Sequence, residues 1–163
     1  LFNPQIALSV VLFSLIAQPT SAQELTLGVS AIEFSDRGQG GAAVVLEYRH
    51  RPFYEGRIVS VAFGANGTAT GQGDVFIGAG VWTRWQWLSG WLIDLSVMPG
   101  AFEEGIEGND LGQTFEIRSL LGAGFQFDNG SAVSASIFHM SNAGLGDINP
   151  GADGFLIRYH HGF

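Results

Sequence analysis

The chain has 163 residues, enough for one domain, with 46% hydrophobic residues and only 13% charged, against the roughly 25% usual in soluble domains. It carries 24 glycines, no cysteine, no lysine and a formal net charge of −8. These exclude disulfides and thiolate chemistry, and they leave no basic stripe to neutralise nucleic-acid phosphates. Past the N-terminus no apolar run approaches the roughly 18 residues of a transmembrane helix. The apolar character is spread over short pieces, as in soluble all-β proteins and in membrane β-barrels.

In chain order, residues 6–17 are almost wholly apolar and are followed by Pro19-Thr20-Ser21-Ala22. Residues 1–22 thus read as a secretory signal peptide with cleavage after Ala22. A buried N-terminal helix is the alternative; it fits less well because the pattern changes abruptly to alternation at Glu24. From there, period-2 segments broken by turn residues predict eight strands, at 24–34, 41–50, 57–65, 74–85, 90–101, 113–127, 131–141 and 154–163. An even number of strands of about ten residues is the pattern of a small outer-membrane barrel. The expectation is an all-β, eight-stranded antiparallel transmembrane β-barrel over residues 23–163, resident in the outer membrane of a Gram-negative cell.

The alternation has a chemical sense. In the second predicted strand Ala42, Val44, Leu46 and Tyr48 oppose Glu47 and Arg49. Trp91, Ile93, Leu95 and Val97 oppose Asp94; Phe115, Ile117, Leu121 and Phe125 oppose Glu116 and Arg118; Phe155, Ile157 and Tyr159 oppose Arg158 and His160. One face carries the large aromatics and the other carries charges of both signs. Eight strands leave an interior that side chains can fill, so the apolar face is assigned to lipid and the paired charges to a plugged interior. A soluble, lipocalin-like barrel would have to hold several bulky aromatics from every strand inside. The last residue, Phe163, ends an alternating strand, as outer-membrane barrels commonly do.

In such barrels the termini and short turns are periplasmic and the longer loops external. Asp128-Asn129-Gly130 is a tight hairpin signal on the periplasmic side. Trp82, Trp85, Trp87 and Trp91 gather about the middle periplasmic turn, where an aromatic girdle is expected. The third external loop carries Glu103, Glu104, Glu107 and Asp110, which reads first as a solvated acidic loop, with a cation-bridged contact to lipopolysaccharide phosphates as the alternative.

Chemistry-bearing residues converge at one place. His139 and Ser141 are two apart on the seventh predicted strand, so both share the lipid-facing side with Val133, Ala135 and Ile137, at the external rim. Asp153 has the parity of Phe155, Ile157 and Tyr159 at the external start of the next strand. A serine hydroxyl is a weak nucleophile until a base takes its proton, histidine supplies that base, and a carboxylate on the other ring nitrogen fixes the tautomer. The Asn142 side chain and the amides of Ala143 and Gly144 follow the serine directly and are candidate oxyanion donors. No metal-ligand cluster is apparent, since His160 and His161 are adjacent and point to opposite faces.

The segment His139-Met140-Ser141-Asn142-Ala143-Gly144-Leu145, with Asn149-Pro150-Gly151 and an acid at 153, resembles the C-terminal signature of the lipid A 3-O-deacylases of the PagL type. Asp110-Leu111-Gly112 and Phe115-Glu116-Ile117-Arg118-Ser119 are also similar to a segment of that family. The resemblance implies an outer-membrane barrel that hydrolyses the ester-linked acyl chain at the 3-position of lipid A, with His139 as base, Ser141 as nucleophile and no metal or other cofactor. Its partners would be lipopolysaccharide and the surrounding membrane lipids. The family's well-known members carry glutamate where this chain has Asp153. Aspartate is one methylene shorter and serves only if the histidine sits closer. Two other readings are a non-enzymatic structural or adhesive barrel and a barrel acyltransferase that passes the acyl chain to an acceptor other than water. The sequence leaves both a monomer and a homodimer open.

Overall fold

The computed structural model describes residues 23–35 and 38–163; the expected signal peptide lies outside them. Eight strands close into an antiparallel barrel in chain order, each paired with its sequence neighbours. They are β1 (Glu24–Phe34), β2 (Gly41–Glu55), β3 (Val59–Thr70), β4 (Val75–Gln86), β5 (Trp91–Glu103), β6 (Phe115–Gln126), β7 (Ala132–Ser141) and β8 (Ala152–Gly162). The seam is β1 against β8, where Gln23 and Phe163 exchange backbone hydrogen bonds of 3.3 and 3.0 Å. Both ends of the barrel segment therefore lie at one end, here called the terminal end; the longer connections, 104–114 and 142–151, lie at the opposite, loop end.

Outside the irregular end of β2, side chains alternate between wall and interior. Leu27, Val29, Leu46, Phe63, Ile77, Trp91, Leu121, Ile137, Phe155 and Ile157 all stand exposed on the outer wall. So much outward apolar surface is that of a barrel solvated by lipid, and it excludes the lipocalin-like arrangement. Inside, the charges form one connected chain. Arg84 bridges Glu24 (2.6 Å) and Asp94 (2.7 Å). Arg158 bridges Asp94 (3.0 Å) and Glu47 (3.1 Å), and Arg118 reaches Glu47 at 2.8 Å. His160 is buried against Glu24, Thr26 and Ser134, whereas His161 is exposed. Of the charges expected in this network, Arg49 instead donates to Ser60 Oγ, and Glu116 has no hydrogen-bond partner among the described residues. Toward the loop end an apolar cluster includes Phe34, Phe76, Phe102, Leu120, Phe138, Met140 and Leu156, joined by Leu111 from the 104–114 loop.

Several expectations change. The second strand runs on through residues read as a turn, to Glu55, with register irregularities at Pro52, a residue that cannot donate to the ladder and is accommodated at such a break. The third continues to Thr70, because the polar residues of Asn66-Gly67-Thr68 point inward: Thr68 donates to Asn66, and Asn66 to Glu47. Trp82 is no part of a girdle. It is fully buried inside the barrel, with the guanidinium carbons of Arg158 and Arg84 at 5.4 and 5.9 Å from its ring centroid. Trp91 does stand on the outer wall, edge-on to Phe125. The strand expected to begin at Gly154 begins at Ala152, which brings Asp153 into the ladder.

Candidate active site

The strand register sets one row of four outward side chains at the loop end: Ser119 on β6, His139 on β7, Asp153 on β8 and Glu33 on β1. His139 and Asp153 are direct register partners. Their side chains meet at 2.8 Å, His139 Nδ1 to Asp153 Oδ1, with both largely exposed at the wall. The direct pairing explains how the shorter aspartate reaches the imidazole. With Nδ1–H donated to the carboxylate, the lone pair of Nε2 is left free on the far edge of the ring.

The Cε1–Nε2 side of the ring lies beside Gly151. A Cβ placed on Gly151 would lie 3.1 Å from His139 Cε1 and 3.7 Å from Nε2. The β7–β8 ladder ends where Met140 pairs with Ala152, the residues that precede Ser141 and follow Gly151 in the chain. The imidazole thus lies against Gly151 at the end of that ladder. Gly151 has φ +74°, in the left-handed region that favours glycine. Among the described residues no hydrogen bond joins His139 to Ser141; catalytic contacts are often long until substrate is bound.

The loop after Ser141 is tightly tied. Asn142 is fully buried. Its Nδ2 donates to the carbonyls of Ile148 (2.7 Å) and Leu111 (3.1 Å), and its Oδ1 accepts from the Gly144 amide at 2.9 Å. Its own amide donates to Asn149 Oδ1 at 3.0 Å. Of the three candidate oxyanion groups, the Asn142 carboxamide and the Gly144 N–H are therefore committed to partners in the loops. The Ala143 N–H has no partner among the described residues. Ala143 carries φ 56°, unusual for a residue with a Cβ, beside Gly144 at φ +74°.

From this row an open groove of about 830 Å³ runs along the outer wall, lined by Ser119, His139, Asp153 and Glu33, then Leu121, Ile137 and Phe155. Ser141 stands just above the groove and does not line it. Ser119 and Glu33 were not singled out from the sequence. Parity alone puts both on the outer face, but only the register across four strands puts them beside His139 and Asp153. Among the described residues no group of three or more His, Asp or Glu side chains is placed to hold a metal ion.

The fold is shared with solved outer-membrane barrels. The crystal structure of the outer membrane enzyme PagL superposes with a TM-score of 0.71 at 21% identity, over 86% of this chain and 99% of that one. Neisserial surface protein A gives 0.57 at 9% identity, over 87% and 97% of the two chains. The Yersinia pestis outer membrane protein Ail in a phospholipid nanodisc gives 0.50 at 13% identity, over 85% and 98%. A search of curated protein sequences finds no match. The family model described as lipid A 3-O-deacylase (PagL) matches residues 42–162, which hold β2 to β8 and every side chain of the row except Glu33. The chain therefore belongs to the lipid A 3-O-deacylase (PagL) family of ester hydrolases.

Proposed function

We propose that this chain hydrolyses the 3-O-acyl ester of lipid A by a Ser141–His139–Asp153 mechanism on the lipid-facing wall, at the external rim of the barrel. The observation that carries the reading is the His139–Asp153 pair at 2.8 Å, with the ring against Gly151 at the end of the ladder that precedes Ser141. Asp153 fixes the ring with Nδ1 protonated, so Nε2 takes the Ser141 hydroxyl proton as Oγ attacks the ester carbonyl. The carbonyl π pair moves onto oxygen, where the Ala143 N–H is the available backbone donor. Collapse breaks the bond to the sugar oxygen, which leaves with the proton from Nε2. Water, deprotonated by Nε2, then attacks the acyl-serine; the fatty acid departs and the Ser141 proton is restored.

Placement fits the substrate. By the topology of such barrels the end with the termini is periplasmic and the loop end external, which puts the His139 row in the outer leaflet where lipid A resides. The ester reaches the wall laterally, and the membrane supplies part of the apolar environment that a soluble esterase would build as a pocket.

One observation favours a second nucleophile: Ser119 lines the groove and is the direct register partner of His139. The orientation of the ring toward Gly151 argues for Ser141. Mass spectrometry of lipid A from cells expressing the wild type, Ser141→Ala and Ser119→Ala separates the two. The expected result is loss of one hydroxyacyl group with wild type and Ser119→Ala, and a drop of about 10⁴-fold or more with Ser141→Ala. Silence of Ser119→Ala alone would transfer the role to Ser119. Full activity of both variants would remove serine catalysis from this wall.

A further inference from the structure

Charge is divided unevenly between the two ends of the barrel. At the loop end Glu103, Glu104, Glu107, Asp110, Asp147 and Asp153 are all exposed. Of the arginines, Arg84, Arg118 and Arg158 belong to the internal ion pairs, and Arg49 is buried against Ser60. Arg51 and Arg57 instead stand exposed at the terminal end, both in the β2–β3 hairpin.

That hairpin runs past its neighbour. The last β1–β2 pair is Glu24 with Arg49, while β2 continues to Glu55. Over this stretch β2 carries more residues than β3: Arg49 pairs with Gly64, Pro52 with Ala62 and Tyr54 with Val61. Each extra residue is a bulge, which breaks alternation and re-aims side chains. His50 and Arg51 are accordingly both exposed, and so are Phe53 and Tyr54. Phe53 packs on Phe63 of the outer wall, with ring centroids 4.8 Å apart. The Gly56 amide donates to the Val59 carbonyl at 2.7 Å and closes the turn that carries Arg57. Glu55, the acid of the hairpin, pairs with Ser60, whose hydroxyl accepts from Arg49 on the interior side. The hairpin therefore presents aromatic rings and two arginines together.

We propose that the β2–β3 hairpin binds anionic phospholipid headgroups of the periplasmic leaflet, with Arg51 and Arg57 at the phosphates and Phe53 and Tyr54 at the boundary with the acyl chains. By the topology of such barrels the terminal end meets that leaflet. Aromatic rings settle at headgroup level, and arginine lays its stem on apolar surface while its head reaches the interface. Charge complementarity selects an anionic headgroup over a zwitterionic one. The inference is independent of the deacylase reading, since the hairpin holds no residue of the reacting row.

The test is native mass spectrometry of the intact barrel released from detergent micelles that contain equal amounts of phosphatidylglycerol and phosphatidylethanolamine. The wild type should retain phosphatidylglycerol over phosphatidylethanolamine about fivefold or more, the effect of one or two arginines at an anionic surface. The double variant Arg51→Gln/Arg57→Gln should bring the ratio to about one, and Arg51→Lys/Arg57→Lys should keep most of the preference. Asp128→Asn, in the exposed β6–β7 turn at the same end, should leave the wild-type ratio unchanged. Equal retention of the two lipids by the wild type overturns the proposal. So does a wild-type ratio in the glutamine variant with unaltered heat-modifiable gel mobility, or a ratio in Asp128→Asn that rises with net charge.

Discussion

At Gly151 the backbone holds φ +74°, and the space a Cβ would fill is bounded by His139 Cε1 and the Met140 carbonyl, each at 3.1 Å. The glycine therefore does two things for the imidazole. It permits the turn into β8 that brings Asp153 opposite His139, and it leaves room for the ring at its side. Gly151→Ala should fold, since one left-handed alanine costs about 1–2 kcal/mol. The displaced ring should lower kcat by about 10²-fold, the scale that a misplacement of roughly 1 Å produces. Turnover on lipid A and the heat-modifiable gel mobility of the barrel read the two effects separately. Wild-type turnover in a folded Gly151→Ala barrel would mean that the ring does not act from this position.

At the scale of elements, the decisive unit is the connection between β7 and β8. Asn142 holds it by donating to one carbonyl within the same loop, Ile148, and to one in the 104–114 loop, Leu111, while Leu111 itself is buried in the interior cluster. A second tie joins other connections: Asp74 accepts from Thr70 and from Asn109, and Asn109 accepts from the Gln39 amide. Removing the Asn142 carboxamide leaves buried carbonyls unpaired, at about 1–3 kcal/mol for each lost partner. Because the bonds are local, the expected effect of Asn142→Ala is loosening of the two loops with the strands intact. Faster external protease cleavage within 104–114 and 142–151, together with reduced deacylation, is the expected outcome; a cleavage pattern identical to wild type would show that the tie is redundant. Strand faces were legible in the sequence because period-2 parity is a local property: the outward set His139, Ser141 and Asp153 follows from counting. Parity also held the correct place of Trp82, which shares its face with Arg84, though clustering near a turn suggested a girdle. The role of Asn142 was not legible, because both carbonyls it binds lie in loops whose path the alternation does not encode. The row of Ser119 and Glu33 was hidden for a related reason: it requires the register of three strand pairs at once.

Across the whole molecule, stability and chemistry occupy opposite faces of the same wall. The interior holds the ion-pair chain from Glu24 through Arg84, Asp94, Arg158 and Glu47 to Arg118, every member buried. The row of His139 and Asp153 and the groove below it lie outside. Among the described residues no hydrogen bond joins that row to the internal chain. Glu47 is the point where the chain is most exposed to a single change, since it alone accepts from both Arg118 and Arg158, each inaccessible to solvent. Glu47→Ala strands the buried Arg118 guanidinium, while Arg158 keeps Asp94. Breaking a buried pair by removing one partner costs about 3–5 kcal/mol, so the urea midpoint of the variant in detergent should fall well below that of the wild type. The folded fraction should deacylate lipid A at the wild-type rate, because Glu47 points away from the lipid face that carries His139 and Ser141. A variant as stable as wild type would show that internal water replaces the carboxylate. A stable barrel with lost activity would instead show that the interior positions the outer face, and that wall and plug act as one unit.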